Sequence, residues 1–281
     1  MIQHAFISSY SNCNLPVLDA GNEILPLTYF NLINLKKGDE FSLNLPGHET
    51  VWVVLKGQCD IQAGETFFSE VGSRKDIWSG NADSVYAGPG TTVRVVSGTG
   101  ETELAIAGGI CNQTFSPFRI SPEEVEMVDV GSDETHSHRR IFHILGHNAK
   151  GRAGNLLVSE LYCEGGCWSG YPPHKHDTEN PPEETAFEEL YHYRFNPENG
   201  FGGQFLFGES GNNRVYRTQN GDTFAFSGGY HPTVTSPGHS EYIFTILVGK
   251  FQRSLVQNFK PEYRYLAGRI PGIGAMVDKF K

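Results

Sequence analysis

The chain has 281 residues, enough for two modest domains, with 38% hydrophobic and 12% aromatic residues to build their cores. A net charge of -10 with only 19% charged residues excludes a Lys/Arg-dominated surface, so neither nucleic acid nor an anionic membrane is expected as a partner. Five scattered cysteines, a polar opening stretch over residues 1–14 and no apolar run near the roughly 20 residues that span a bilayer point to free thiols in a reducing cytoplasm.

Short period-2 and apolar runs, each bounded by Gly, Asn or Asp, predict strands over 29–35, 40–45, 51–55, 84–86, 92–96 and 103–107. A turn is expected over 122–127, inside an acidic stretch that reads as a linker between two halves. The same strand habit returns over 155–162, 189–195, 203–207, 213–217, 223–226 and 242–248. Helix is confined to a short piece near the C-terminus. Many short strands at near-regular spacing argue for an all-β sandwich or barrel, and the matching order of the halves argues for an internal duplication of about 120 residues.

The chemistry is concentrated in the second half. In a strand, residues i and i+2 face the same side, so His174 and His176 point together and Lys175 points away. Glu189 opens the next apolar strand, and His231 lies on a Gly-containing turn after another. Three imidazoles and one carboxylate on neighbouring strands can converge on one divalent ion; this donor set suits Zn, Mn, Fe or Ni and leaves positions open for substrate. The first half has no such set: His48 has no His two residues away, and Thr91 and Thr92 stand where a ligand His would fall. His136-Ser137-His138 sits in the polar linker without a completing carboxylate and His, and is not expected to bind metal. No Gly-x-Gly-x-x-Gly turn, phosphate loop or Gly-x-Ser-x-Gly elbow is present.

Trp168-Ser169-Gly170-Tyr171-Pro172-Pro173-His174-Lys175-His176-Asp177, Glu188-Glu189-Leu190-Tyr191 and Gly229-Tyr230-His231-Pro232 resemble the 5-deoxyglucuronate isomerases of myo-inositol catabolism, bicupins related to the 5-keto-4-deoxyuronate isomerases of pectin breakdown. Arg139-Arg140-Ile141 and Asn155-Leu156-Leu157-Val158-Ser159-Glu160 are similar to that family too. The twelve residues between His176 and Glu189 resemble the inositol-pathway branch more than the pectin-pathway one.

The resemblance implies a bicupin of two tandem double-stranded β-helix (jelly-roll) barrels: 1–120 without metal ligands, a linker over 121–138, and 139–281 carrying the metal site and a C-terminal tail. It implies an aldose–ketose isomerase that converts 5-deoxy-D-glucuronate to 5-dehydro-2-deoxy-D-gluconate. The ligands would be His174, His176, Glu189 and His231, with Zn foremost and Mn, Fe or Ni as alternatives. The expected partner is a small sugar acid, and the assembly a homo-oligomer. Another uronate isomerase or an Fe-dependent cupin dioxygenase is the alternative activity. Tyr191, Glu188 and Lys175 are the catalytic candidates, Tyr191 sharing the inward face with Glu189 while Glu188 faces outward unless the strand bulges. The chain departs from the family where an Arg and a Tyr are usual, carrying Phe205 and Phe207, with Ser227 and Thr245 in place of Pro and Asn. A uronate needs a cation for its carboxylate, and Lys175, Arg194, Arg214 and Arg217 are the candidates.

Overall fold

Strands His48–Lys56, Thr102–Ile110, Phe187–Asn196 and Ser240–Gly249 are buried along nearly their whole length. A strand buried on both faces reads as a near-continuous apolar run and must lie between two layers. In the computed structural model, which describes residues 2–98, 100–208 and 213–279, these strands form the centres of two large antiparallel sheets.

The first large sheet runs, in spatial order, Phe118–Ile120, Asp83–Ala87, His48–Lys56, Thr102–Ile110, Thr28–Leu35 and Pro16–Leu18. The second runs His4–Ile7, Thr223–Phe226, Phe187–Asn196, Ser240–Gly249, Leu156–Cys163, Arg139–Leu145 and Glu126–Val130. Each is closed into a barrel by a smaller four-stranded sheet. The first of these runs Glu40–Leu43, Val93–Ser97, Cys59–Ala63 and Thr66–Val71; the second runs Trp168–Ser169, Thr233–Thr235, Phe201–Phe207 and Asn213–Gln219. The shared strand order makes the chain an all-β bicupin with duplicated topology. The duplication is not at a constant spacing: the pairing registers make Thr28 equivalent to Leu156 and Glu49 equivalent to Glu188, the second barrel having gained the loop that contains Asn180-Pro181-Pro182.

Alternation then divides the work of each strand. One face fills its own barrel, with Trp52, Ile61, Val95 and Ile106 in the first and Tyr193, Phe195, Phe224 and Ile243 in the second. The other face packs sheet against sheet, with Phe30, Val53 and Ala105 meeting Leu190, Phe244 and Ile246. Buried polar groups at this seam are paired across it, as they must be in an apolar layer. Arg74 makes a bidentate contact to Glu160 at 2.6 and 3.0 Å, and Glu160 also accepts from the Tyr242 hydroxyl.

Two boundaries differ from the sequence reading. Strand His4–Ile7 pairs with Thr223–Phe226, so the first residues complete the second barrel rather than belonging to a 1–120 unit. The 121–138 stretch is not a linker throughout: Glu126–Val130 is an edge strand of the second barrel, with Val128 and Val130 turned inward and Met127 and Asp129 outward. The C-terminal tail folds over its own barrel, Asn258–Phe259 pairing with His174–Lys175 and helix Ile273–Lys279 bringing Ile273 and Met276 into the core. Among the described residues no helix is long and apolar enough to cross a membrane.

Candidate metal centre

The strand His174–Lys175 is only two residues long and is held between the tail strand Asn258–Phe259 and the end of Phe187–Asn196, where the Phe187 amide donates to the His176 carbonyl at 2.8 Å. This places both imidazoles inside the second barrel. Glu189 enters from the neighbouring long strand, and His231 from the turn that follows Thr223–Phe226. The ligand atoms of His174, His176 and His231 all lie within 4.8 Å of one another, the one such His/Cys/Asp/Glu group among the described residues. Glu189 Oε2 stands 2.8 Å from His176 Nε2 and 3.2 Å from His231 Nε2.

Backbone carbonyls set the tautomers. His174 Nδ1 lies 3.1 Å from the Pro172 carbonyl and His231 Nδ1 lies 2.7 Å from that of Gly229. A carbonyl only accepts, so each Nδ1 carries the proton and each Nε2 lone pair faces the cluster, which is how a ligand histidine is oriented. His231 Nε2 is fully buried and makes no aligned hydrogen bond. Four buried side chains that are all metal donors, with lone pairs converging, fit a divalent ion.

The electrostatics agree with a cluster that holds charge only collectively. Burial pushes His174 well below the usual histidine range, and the nearby His231 and His176 push it further. Burial would lower His176 and raise Glu189, but their mutual hydrogen bond, together with the His231 charge on Glu189, reverses both: His176 is raised and Glu189 is held far below the ordinary carboxylate range.

The turn carrying His231 is tied to the His-x-His segment. The Asp177 carboxylate accepts the Gly229 amide at 2.8 Å and the Lys175 ammonium at 2.7 Å. A Cβ on Gly228 would lie 2.4 Å from Asp177, and Gly229 has φ +89°, so both turn positions require glycine. Burial opposes the charge on Asp177, yet the Lys175 contact prevails and lowers its pKa to about 2.

Lys175 is thereby corrected. Its ammonium is bound by Asp177 and Glu184 on the side away from the imidazoles, and it fastens the loop rather than reaching the cluster. Glu188 is corrected as well. The strand does not bulge there, and the Glu188 carboxylate crosses to the first barrel to accept from the Leu27 amide at 3.0 Å and the Thr28 hydroxyl at 2.9 Å. Its register equivalent Glu49 makes the reciprocal contact, accepting from the Gly154 and Leu156 amides. Tyr191 is brought to the cluster: its ring is 6.2 Å from that of His231, and it lines the same cleft as Glu189. Burial, with the Glu189 charge, raises the Tyr191 hydroxyl well above its ordinary pKa, which keeps it a proton donor.

The cluster opens into a small cleft of about 50 Å³, lined by His174, Glu189 and Tyr191, by Arg139 and Thr245, and by Gln257 from the tail. Gln257 Nε2 is 3.0 Å from His174 Nε2. Phe205 does not line it. Gln204, its neighbour, points inward to the Tyr193 hydroxyl and the His231 carbonyl, so Phe205 points outward and packs on Trp168 at 5.2 Å. Replacing an Arg there removes nothing from the cleft. Arg194 is engaged with Glu103 at the barrel seam, and Arg214 and Arg217 are exposed on the outer sheet. Of the set outside the cluster, His138 is bonded to Asp129 and His136 is exposed.

Comparison with known proteins places this arrangement. The KduI/IolB family model matches residues 9–266. The chain belongs to the KduI/IolB family. Its curated relatives include the 5-deoxy-glucuronate isomerase of Shouchella clausii (strain KSM-K16), 31% identical over 83% of this chain and 86% of that one. That of Geobacillus thermodenitrificans (strain NG80-2) is 33% identical over 78% and 79%. Among solved structures, an IolB-like protein from Salmonella typhimurium LT2 superimposes with a TM-score of 0.82 at 27% identity, covering 93% of this chain and 99% of that one. The fold extends to the oxalate decarboxylase of Lactobacillus farciminis, with a TM-score of 0.61 at 11% identity. As a KduI/IolB member with relatives of this kind, the chain is an enzyme of the isomerase class.

Proposed function

We propose that the chain interconverts 5-deoxy-D-glucuronate and 5-dehydro-2-deoxy-D-gluconate, an aldose–ketose isomerisation at a divalent metal centre. The observation that carries the reading is the buried His174–His176–Glu189–His231 cluster opening into a cleft beside Tyr191. The names of the curated relatives support the substrate.

Three imidazoles and a carboxylate would hold the ion, and Zn is the one assigned. When bound, it supplies Lewis acidity to the adjacent carbonyl and hydroxyl oxygens of the sugar. The protein's own part is to hold those oxygens still and to move one proton between neighbouring carbons. Tyr191 lines the cleft beside the cluster, where its protonated hydroxyl can donate to the developing oxyanion. Leu255, Leu247 and Met276 close the cleft with apolar surface, which excludes water that would otherwise compete for the proton.

Elemental analysis of wild type beside a His174→Ala/His176→Ala double variant tests this, each sample assayed with 5-deoxyglucuronate. Near-stoichiometric metal with turnover in wild type, and loss of both in the variant by ~10³-fold or more in rate, is expected, since the ion supplies several kcal/mol. Metal without turnover would remove the substrate assignment, and no metal after reconstitution would remove the centre.

A further inference from the structure

We infer that Arg139 is the cation that receives the carboxylate of the substrate, an inference that rests on the sugar-acid reading above. Arg139 opens the strand Arg139–Leu145 and is 1% exposed, among the largest fully buried side chains of the protein. Its guanidinium lines the same cleft as His174, Glu189 and Tyr191.

What sets it apart is its partners. Nη1 donates to the Ser137 carbonyl at 2.8 Å and Nη2 to the Tyr171 carbonyl at 2.7 Å, while Nε is buried with no hydrogen-bond partner. No carboxylate pairs with it among the described residues. A buried guanidinium without a counter-ion is costly, because two neutral carbonyls do not replace the hydration of a full charge. Two other buried cations are matched by ion pairs, Arg74 with Glu160 and Lys175 with Asp177 and Glu184; Arg253, which also donates only to carbonyls, has the Glu49 charge close enough to offset part of its burial. The burial also pulls the pKa of Arg139 down to about 10, which leaves it charged at neutral pH.

The anchoring suits the role. Tyr171, whose carbonyl holds Nη2, lies three residues before His174, so the guanidinium is fixed relative to the metal donors by the same segment. A sugar acid whose oxygens reach the cluster at one end would present its carboxylate to this fork at the other. A planar guanidinium matches a carboxylate with two parallel bonds, which a neutral polyol end cannot exploit. None of Lys175, Arg194, Arg214 or Arg217 lines the cleft. The departure at Phe205 therefore leaves the site with its cation.

The test is calorimetric binding of D-gluconate and of its neutral counterpart D-glucitol to the metal-loaded protein, in wild type, R139M and R139K. Wild type should bind gluconate at least tenfold more tightly than glucitol. R139M should lose gluconate affinity by about 10–100-fold with glucitol unchanged, the range expected for a hydrogen bond to a charged group. R139K, which keeps the charge and is the safer fold, should keep part of the preference. Melting temperature and metal content accompany each sample. A preference for gluconate that survives in R139M, or in R139K an equal loss of both ligands with wild-type metal content, would overturn the assignment, as would a wild type with no preference. Failure of the isomerisation reading appears separately, as wild type that fails to turn over 5-deoxyglucuronate while the Arg139-dependent binding difference persists.

Discussion

Where the second barrel carries Glu189, the first carries Thr50 at the same place in the pairing register; where the second carries Tyr191, the first carries Trp52. In the first, the Trp52 indole donates to the Thr50 hydroxyl at 3.1 Å. Two barrels of one topology thus spend the same positions differently. In the first, a large ring and a hydroxyl fill the interior and satisfy each other. In the second, the same positions hold a carboxylate bonded to His176 and a phenol that lines the cleft. A barrel interior can be close-packed or chemically open at a given position, and the chain has one of each.

That comparison can be broken most directly by exchanging the roles. Trp52→Ala should cost ~3–5 kcal/mol of stability in urea denaturation, the usual range for a large buried aromatic, and leave metal content untouched. Tyr191→Phe should leave the unfolding curve nearly unchanged but lower turnover by ~10²-fold, the usual worth of a positioned proton donor. Similar destabilisation from both would show that Tyr191 is core in the same sense as Trp52.

A second contrast lies deeper. Glu241 is fully buried where the first barrel has Thr102; it accepts from the Thr235 hydroxyl at 2.8 Å, and burial raises its carboxyl to about 7. A carboxyl raised on folding binds its proton more tightly in the folded state. Its contribution is therefore present at pH 4.5 and below, and is lost as pH rises towards 7, by roughly 2–3 kcal/mol. Glu241→Gln should flatten the melting temperature between pH 5 and pH 8 relative to wild type. Parallel curves would place its titration elsewhere.

The smallest expected effect sharpens the one point at which the barrels are alike. Glu49 accepts from two amides of the second barrel and from the Tyr86 hydroxyl; Glu188 accepts one amide and one hydroxyl of the first. Glu49→Gln should cost about 2 kcal/mol and Glu188→Gln about 1 kcal/mol, both measured by denaturant unfolding, with turnover of Glu188→Gln near wild type. A large loss of rate in Glu188→Gln at unchanged stability would return Glu188 to the catalytic set.

The convergence of His174, His176, Glu189 and His231 was legible because each is announced by local geometry: a two-residue repeat in an extended segment, a carboxylate opening an apolar strand, and a glycine turn. The strands named from the sequence were legible for the same reason, and their ends moved by up to three residues. Pairing was less visible. Nothing in His-Ala-Phe-Ile shows that it joins Thr223–Phe226, since alternation specifies a face and not a neighbour. The Glu126–Val130 strand was hidden because Glu126, Asp129 and the acidic residues on either side of them made the stretch look like a linker. Arg139 stood in plain view beside Arg140, and alternation requires that one of the two turn inward. What could not be read was that the inward one lacks a counter-ion, because that depends on residues from five different strands.

The pairing of His4 with Phe226 has a consequence for how the protein is made. Strand His4–Ile7 leaves the ribosome about 220 residues before its partner, a wait of ten seconds or more at ordinary rates of synthesis. Throughout that interval the first barrel can close on its own contacts, while the edge at Thr223–Phe226 does not yet exist to be capped. The second barrel therefore acquires its outermost strand from a segment synthesised long before it, and a nascent chain stalled past residue 226 is the earliest one in which the larger sheet of that barrel is complete along that edge.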